Sequence, residues 1–424
     1  MIDIILSALA ENNISVYCIF EDKTDTAELF FVKKQLDMRR TSNVHSYTVS
    51  VYNDFEKDGV KMRGTTNVSI HPSMSKEEVS KVLNEAYFAA SFVCNKYYAL
   101  TDGIKEATVI KESSLSSLSL DDAATKAVEA LYEADKKSDT WINSAEIFVN
   151  KTFRRIISSE GTDVSYIMYK LNGEFVTQCT TPSDVELYTD FAYDELACEA
   201  LTKKASEALN TVKARASAAA APAAGTYDII LSGKHVHEIL SYYTLRSNAA
   251  YVYPKYSNYK IGDDIQGESV QGEKLTITLS SSVPYTDTGI AMKDRLLLED
   301  GNLKLIHGGT RFCRYIDVEP TGIYNKIICS NGTVPFEQMK KQPYLYIVNF
   351  SDFQMDPFSG HFGGEIRLAY LFDGTETKVV TGGSINGSIL EAQNNFVFST
   401  DRYTDMNYNG PFAVKITNVN VAGV

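Results

Sequence analysis

A run of small residues near the middle of the chain divides it into two parts. Residues 214–225 read ARASAAAAPAAG, and Pro222 within this run cannot continue a helix because its ring removes an amide donor and clashes with the preceding turn. Side chains this small also offer little apolar surface to a core. The sequence therefore predicts two domains, residues 1–215 and 226–424, joined by an Ala-rich linker over residues 216–225.

The first half alternates between strand-like and helix-like patterns. Residues 15–70 carry several period-two segments rich in Val, Tyr, Phe and Thr, which is typical of an antiparallel sheet. Ser75 and Glu78 form a capping-box pattern ahead of one helix, and Ser119 marks the start of another. Asn172-Gly173 predicts a hairpin turn, and residues 184–214 predict one long helix with acidic residues near its start and basic residues near its end. The predicted N-terminal domain is α+β, an antiparallel sheet with helices.

Strand signals dominate the second half. A strand pattern at residues 227–231 opens it, and short alternating segments separated by turn dipeptides continue from residue 275 to residue 421. So many strands in one domain predict a curled sheet or a barrel-like arrangement. The whole chain is therefore predicted to have an α+β fold, with a β-rich C-terminal domain after the α+β N-terminal domain.

Charge and composition argue against several classes of function. The formal net charge is −13 and the pI is about 5.1, so binding to a nucleic-acid phosphate backbone is disfavoured. The N-terminal residues include Asp3 and lack the basic start of a signal peptide, and no run approaches the ~18 apolar residues that a membrane helix needs. The six cysteines form no C-x-x-C pair, which favours reduced thiols. We therefore expect a cytoplasmic protein with no nucleic-acid partner and no membrane partner.

Residues 349–374 join a turn-rich segment to a strand pattern with strict alternation. Pro357 fixes one backbone angle, and the glycines permit conformations or close approaches that a Cβ atom blocks. A loop of this kind is positioned either to pack or to bind. The sequence therefore predicts a peptide-binding or structural loop that consists of Asp356, Pro357, Gly360, Gly363, Gly364, Glu365 and Arg367.

One helix-like segment carries part of a metal-binding pattern. His237 and Glu238 match the start of an H-E-x-x-H zinc helix, in which two histidines one turn apart bind the metal and the glutamate activates water. Ser241 stands where the second histidine is required, so this motif is broken. We therefore treat His237 as a vestigial metal-ligand candidate and Glu238 as a vestigial catalytic candidate. The other histidines that the fold could bring to such a site are His235, His307 and His361.

The second half also resembles a known family. The run DPFSGHFGGEIRLAYL at 356–371, with RYIDVEPTG at 314–322 and VTGGS at 380–384, resembles the C-terminal half of the TldD/PmbA family. The resemblance covers about residues 225–424 and is loose before them. Members of this family have been called modulators of DNA gyrase, and the resemblance implies an intracellular metallopeptidase system.

The resemblance implies a zinc site that this chain does not reproduce. Catalytic members use H-E-x-x-x-H, whose closing position is Tyr242 here, and a cysteine ligand near the carboxyl end, where residues 394–424 contain neither Cys nor His. The resemblance therefore implies a TldE/PmbA-like, non-catalytic subunit that pairs with a TldD-like catalytic chain to cleave unfolded peptides. No cofactor is expected in this chain, and the zinc is expected in the catalytic partner.

Two other functions stay open. The chain could be a stand-alone metal-dependent peptidase with a degenerate site, in which Glu238 is the general base and His235, Tyr242 or Cys313 assists His237. It could instead be a homodimeric peptide-binding protein that kept the fold and lost the activity, because a fold does not fix a function.

Overall fold

The first half of the chain forms one sheet with four helices. The computed structural model describes residues 1–137, 139–218 and 220–423, so Ala219 of the predicted linker lies outside the described residues. The elements of this half are α1 (Ile2–Glu11), β1 (Tyr17–Val32), β2 (Gln35–Lys57), β3 (Val60–Ile70), α2 (Lys76–Ala90), β4 (Val109–Ile110), α3 (Leu120–Glu133), β5 (Trp141–Ser158), β6 (Asp163–Cys179), β7 (Val185–Tyr193) and α4 (Cys198–Ser217).

The seven strands form an antiparallel half-barrel with the order β3-β2-β1-β5-β6-β4, and β7 also pairs with β6. Only the short β4 runs parallel to its neighbour. Because successive side chains of a strand point to opposite faces, alternate residues of the long strands are buried under the helices. Ile147 and Val149 of β5 and Phe175 of β6 lie in one core with α3 and α4.

Both predicted helix starts in this half are confirmed. The Ser75 side chain accepts a hydrogen bond from the Glu78 amide, and the Glu78 carboxylate accepts one from the Ser75 amide at 2.8 Å. The Ser119 hydroxyl accepts a hydrogen bond from the Asp122 amide in the same way. These contacts satisfy amide groups that have no partner within the first turn of a helix.

Two predictions for the first half were wrong. Residues 184–214 form the strand β7 and then α4, because Leu187 and Phe191 alternate into the core while β7 pairs along its whole length with β6. Asn172-Gly173 makes no turn, and β6 runs straight through it. A Cβ atom on Gly173 would collide with the Glu146 carbonyl and with the Phe191 ring, so this glycine serves close strand packing.

The second half contains two sheets and several short helices. Its elements are β8 (Gly225–Ser232), α5 (Lys234–Arg246), α6 (Ala249–Val252), β9 (Ile277–Ser280), β10 (Arg295–Glu299), β11 (Asn302–Leu303), α7 (Thr310–Tyr315), β12 (Lys326–Cys329), α8 (Phe336–Met339), β13 (Tyr344–Met355), β14 (His361–Phe372), β15 (Thr377–Val380), β16 (Ser384–Ser388), α9 (Ile389–Ala392), β17 (Val397–Phe398), β18 (Arg402–Thr404), β19 (Tyr408–Pro411) and β20 (Ala413–Ala422).

Five strands of the second half close into a barrel. They follow the order β13-β8-β20-β16-β14, and the pairing of β13 with β14 completes the circuit. A separate sheet has the order β11-β10-β9-β12-β19-β18. Helix α5 follows β8 directly and shares one apolar core with both sheets. The predicted fold class, α+β with a β-rich and barrel-like second half, is confirmed.

The division into two domains at residues 216–225 stays a prediction. Helix α4 ends at Ser217 and β8 begins at Gly225, and Ala220 between them pairs with Val380 of β15. The two halves are also in direct contact elsewhere. Tyr285 from the second half joins a small apolar cluster of the half-barrel sheet, and the guanidinium of Arg154 lies 3.0 Å from the Asp287 carboxylate.

The barrel yields a first testable prediction. A Cβ atom on Gly364 of β14 would collide with the Asp352 carbonyl and would lie 2.9 Å from the Phe350 ring. Overpacking of this kind makes Gly364→Ala lower the free energy of unfolding by about 2 kcal/mol or more. The measurement is denaturant unfolding of the variant and the parent chain under identical conditions.

Gly225→Ala in β8 of the same barrel is the matched control. Its Cβ atom would meet only the Tyr227 ring at 3.7 Å, an ordinary van der Waals distance, so we expect a change within about 0.5 kcal/mol. Equal effects of the two substitutions would contradict the close approach of strands at Gly364.

Candidate functional site

Helix α5 carries the residues of the broken zinc motif. Gly233 precedes the helix with φ 59°, a left-handed conformation that glycine adopts without strain and that turns the chain sharply from β8 into α5. Successive side chains of this helix are rotated by about 100° about its axis, so they point to different faces. His235 and Tyr242 are seven residues apart and share one face, whereas His237 lies on another face with Thr244.

His235 is the deeper of the two neighbouring histidines. It is 4% exposed, and its ring packs edge-on against Phe350 and Phe353 of β13, with ring centroids 4.9 and 5.4 Å away. Its Nδ1 lies 3.1 Å from Oε2 of Glu238, one turn along the helix. The predicted catalytic carboxylate therefore pairs with His235 and not with His237.

His237, the predicted metal ligand, forms no hydrogen bond with any described residue. It lines a cavity of about 230 Å³ together with Thr244, His307 and Lys326, and its ring centroid lies 5.9 Å from that of Tyr408. Burial lowers the pKa of His237, although the charges of Asp405 and Glu238 act in the opposite direction. The imidazole is therefore held in its neutral form near neutral pH, the form that binds metals.

His307 comes from the chain segment before α7 and lies beside the same cavity. It is 3% exposed, and its Nε2 donates a hydrogen bond to the Thr244 carbonyl at 2.8 Å. Its Nδ1 is buried without a hydrogen-bond partner among the described residues. Burial lowers the pKa of His307, opposed by the carbonyls of Thr244 and Gly322. The fold therefore brings His237 and His307 to one cavity, but no ring nitrogen of His307 is open to a ligand there.

The remaining candidate groups are separated from His237. Tyr242 is 3% exposed and lies beside Gly360, on the side of α5 away from the His237 cavity. Cys313 is fully buried in α7, and burial raises its pKa to about 11, so it stays a protonated thiol and a poor nucleophile. His361 is exposed at the start of β14.

The residues around His237 do not fit a zinc site. Within residues 1–137, 139–218 and 220–423, no three side chains among His, Cys, Asp and Glu are grouped closely enough to hold a metal ion. A catalytic zinc needs about three protein ligands and one open position. His237 alone would hold the ion weakly, so we derive no chemical step through a metal in this chain.

The predicted loop at 356–367 is the turn of the β13–β14 hairpin and the start of β14. The Asp356 carboxylate accepts hydrogen bonds from the Ser359 hydroxyl and from the Phe358 amide, and these bonds lower its pKa. Gly360 has φ 77°, and a Cβ atom on Gly363 would lie 2.7 Å from the Ile385 carbonyl.

The outward residues of this segment pair with each other. The guanidinium of Arg367 lies 3.0 Å from the Glu365 carboxylate, and both side chains are exposed. Pro357 is half-buried in the turn. Strand β14 has a neighbour on both sides, β13 on one and β16 followed by β15 on the other, so an extended peptide cannot add to its edge. The geometry accounts for a structural role of the loop, and its peptide-binding role stays a prediction.

A larger cleft opens at the other end of α5. It has a volume of about 460 Å³ and is lined by the N-terminus of α5, by β13 and β14, and by β7 and α4 of the first half. Its residues from the first half include Asp190 and Lys204, which no local sequence pattern connects to His235. The only local signal was the spacing of His235 and Glu238, which places them on one helix face.

Comparison with known proteins agrees with this architecture. Residues 224–423 match the family model described as the PmbA/TldA metallopeptidase C-terminal domain, so the second half is a domain of the metallopeptidase-like PmbA/TldD class. No curated protein sequence matches the chain.

Three solved structures share the fold over nearly the whole chain. A proposed modulator of a DNA gyrase from Thermotoga maritima is 18% identical, with a TM-score of 0.77 and 99% of each chain covered. A proposed modulator of DNA gyrase from Bacteroides thetaiotaomicron is 14% identical, with a TM-score of 0.77, covering 100% of this chain and 98% of its own. TldE from Thermococcus kodakarensis is 15% identical, with a TM-score of 0.77, covering 99% of this chain and 100% of its own.

The TM-scores of these three structures show that they share a common fold with this chain. The match of residues 224–423 to the family model places the second half of the chain in the TldD/PmbA family, as the motifs of residues 314–384 predicted. No helix of the described residues is both long enough and apolar enough to cross a membrane.

The burial of His307 leads to a pH prediction. Because its pKa is lowered in the folded chain, the unfolded chain takes up this proton first as the pH falls below about 6.5. The free energy of unfolding therefore decreases between about pH 7 and pH 5, by up to ~1.4 kcal/mol per pH unit for one proton. We expect His307→Gln, which keeps a donor for the Thr244 carbonyl, to reduce the dependence of this free energy on pH by up to the contribution of one proton.

The measurement is denaturant unfolding at several pH values for both chains. His71→Gln is the control, since His71 is an exposed residue after β3 whose ring contacts only Ser73. An unchanged slope in His307→Gln would contradict the suppressed protonation of His307.

Proposed function

We propose that the chain is the non-catalytic, TldE/PmbA-like subunit of an intracellular peptidase whose zinc-bearing subunit is a TldD-like chain. The observation that carries the proposal is the separation of groups on α5. His237 faces one cavity, Tyr242 packs on the opposite side beside Gly360, and Glu238 pairs with His235. His237 is therefore left without a second zinc ligand on α5, because Tyr242 occupies the closing position of the motif.

The comparisons support a relationship to this kind of peptidase subunit. The second half matches a metallopeptidase domain model, and the whole fold is shared with a protein called TldE. A chain that keeps this fold without a zinc ligand set suits the role of a structural or peptide-holding subunit. The zinc and the hydrolytic water then belong to the TldD-like partner.

The cysteines support placing this complex in the cytoplasm. Cys18, Cys94, Cys179, Cys198, Cys313 and Cys329 are all free thiols, and four of them are buried. A reducing compartment keeps such thiols intact. The net charge of −13 also supports a peptide or protein as the binding partner in preference to DNA.

The test is co-expression of this chain with a TldD-type chain that carries an intact H-E-x-x-x-H motif. We expect a one-to-one complex by light scattering after size-exclusion chromatography. We also expect hydrolysis of an unstructured fluorogenic peptide by the complex and no hydrolysis by this chain alone.

Variants on the two subunits identify the one that carries the chemistry. Replacing the first motif histidine of the TldD-type chain abolishes hydrolysis, while His237→Gln in this chain changes kcat less than about twofold because His237 binds no essential metal. Hydrolysis by this chain alone that is lost in His237→Gln would contradict the proposal and support a stand-alone peptidase. A stable homodimer that does not bind the TldD-type chain would support the homodimeric peptide-binding protein.

A further inference from the structure

The cleft at the start of α5 has the features of a ligand site that neither the motif analysis nor the comparisons assign. It lies between the two halves of the chain, about 460 Å³ in volume, on the side of α5 away from the His237 cavity. This volume is within the range of about 300–1,000 Å³ that small-molecule sites occupy. Its walls offer three different kinds of group to a ligand.

The first group is the N-terminus of α5. This helix has 13 residues, and Gly233 at its start supplies no side chain to cap the first-turn amides. Amides at such a terminus point outward and, with the helix dipole, favour a negative charge. Lys234 adds an exposed ammonium group that forms no ion pair with any described residue. This end of the cleft is therefore suited to a carboxylate.

The second group is the imidazole of His235. Its side chain is 5% exposed and lines the cleft. The Glu238 carboxylate can only accept a hydrogen bond, so Nδ1 of His235 donates to it, and in the tautomer that this contact selects Nε2 is an acceptor. Nε2 has no hydrogen-bond partner among the described residues. Nε2 therefore offers an acceptor in the cleft to a donor from the ligand, such as a peptide N–H.

The third set of groups forms the aromatic wall and the far rim. Tyr346 and Tyr370 lie stacked with ring centroids 6.1 Å apart and offer a flat apolar surface. On the opposite side, Asp190 and Glu207 from the first half are exposed acidic residues, and the ammonium of Lys204 lies 3.4 Å from the Asp190 carbonyl. The rim thus places acidic groups away from the basic start of α5.

From this arrangement we infer that the cleft binds a short peptide with both ends free, about two or three residues long. The terminal carboxylate lies at the amides of α5 and Lys234, a peptide N–H donates to Nε2 of His235, and an apolar side chain packs on Tyr346 and Tyr370. The terminal ammonium lies towards Asp190 and Glu207. The site is built by this chain alone, so the inference goes beyond the proposed subunit role and does not depend on it.

The test is isothermal titration of the isolated chain with the tripeptide Gly-Gly-Tyr, its C-terminal amide and its N-acetylated form. We expect the free tripeptide to bind, and either modification to weaken binding about tenfold because a charge is removed from one end. Inorganic phosphate is titrated as a competitor to separate peptide recognition from general anion binding.

Lys234→Gln is the first variant, because this side chain is exposed and its loss does not disturb the core. We expect it to weaken binding of the free tripeptide about tenfold and to leave the already weak binding of the amide nearly unchanged. The variant and the amide each remove one partner of the same charge pair, so their effects do not add. Lys81→Gln on α2 is the matched control, because it removes an equal charge from an exposed residue outside the cleft, and we expect no change.

His235→Gln removes the Nε2 acceptor, so we expect it to weaken binding of both the tripeptide and its amide. A thermal melt shows whether this variant is folded. Three outcomes would overturn the inference: no heat of binding at millimolar tripeptide, equal affinity for the acid and the amide, or full competition by phosphate. Because no partner subunit is present, these outcomes leave the heterodimer proposal untouched.

Discussion

The structure depends on the closure of the five-stranded barrel by the β13–β14 hairpin. Strands from widely separated parts of the chain, β8 at residue 225 and β20 at residue 422, pair directly within this sheet, and the β13–β14 hairpin joins its two ends. Closure requires close backbone approach, which Gly363 and Gly364 allow at the carbonyls of Ile385 and Asp352. Asp356 holds the hairpin turn through hydrogen bonds from Phe358 and Ser359.

The barrel fixes α5, and α5 determines what the site can do. Val236, Ile239, Leu240 and Tyr243 anchor the helix in the shared core, which leaves no freedom to rotate it. Tyr242 packs beside Gly360 while His237 lines a separate cavity, so the two side chains face different surroundings. His235 and Glu238, three residues apart, lie together on one face of the helix, and His235 lines the cleft between the two halves. Helix α5 therefore carries His237, whose burial lowers its pKa, and His235, which Glu238 orients. Among the described residues, neither histidine lies close to enough other ligands to form a zinc site.

Much of this architecture could be predicted from local patterns. The capping box at Ser75, the strand at 227–231 and the alternation of residues 365–372 depend on neighbouring residues alone, and the structure has each of them. Prediction from local patterns failed where residues that are distant in the sequence determine the secondary structure. Asn172-Gly173 resembles a hairpin turn until the Glu146 carbonyl and the Phe191 ring on the adjacent strands are known to need that glycine. Residues 185–193 resemble part of a helix until β6 is available as their pairing partner.

The candidate site shows the same limit. The sequence identified His237, Glu238 and the missing closing histidine, because these are defined by spacing along one helix. It could not show that Glu238 is engaged by His235, that His237 shares a cavity with His307, or that Lys204 and Asp190 lie across from α5. Those relations follow from barrel closure and from the packing of the half-barrel on the second half.

The most direct test of the central claim is the zinc content of this chain, measured by mass spectrometry on protein purified without chelator and without any TldD-type chain. The account predicts zinc well below one ion per chain, with no difference between the parent chain and His237→Ala. One zinc per parent chain, lost in His237→Ala, would contradict it and make His237 a true metal ligand.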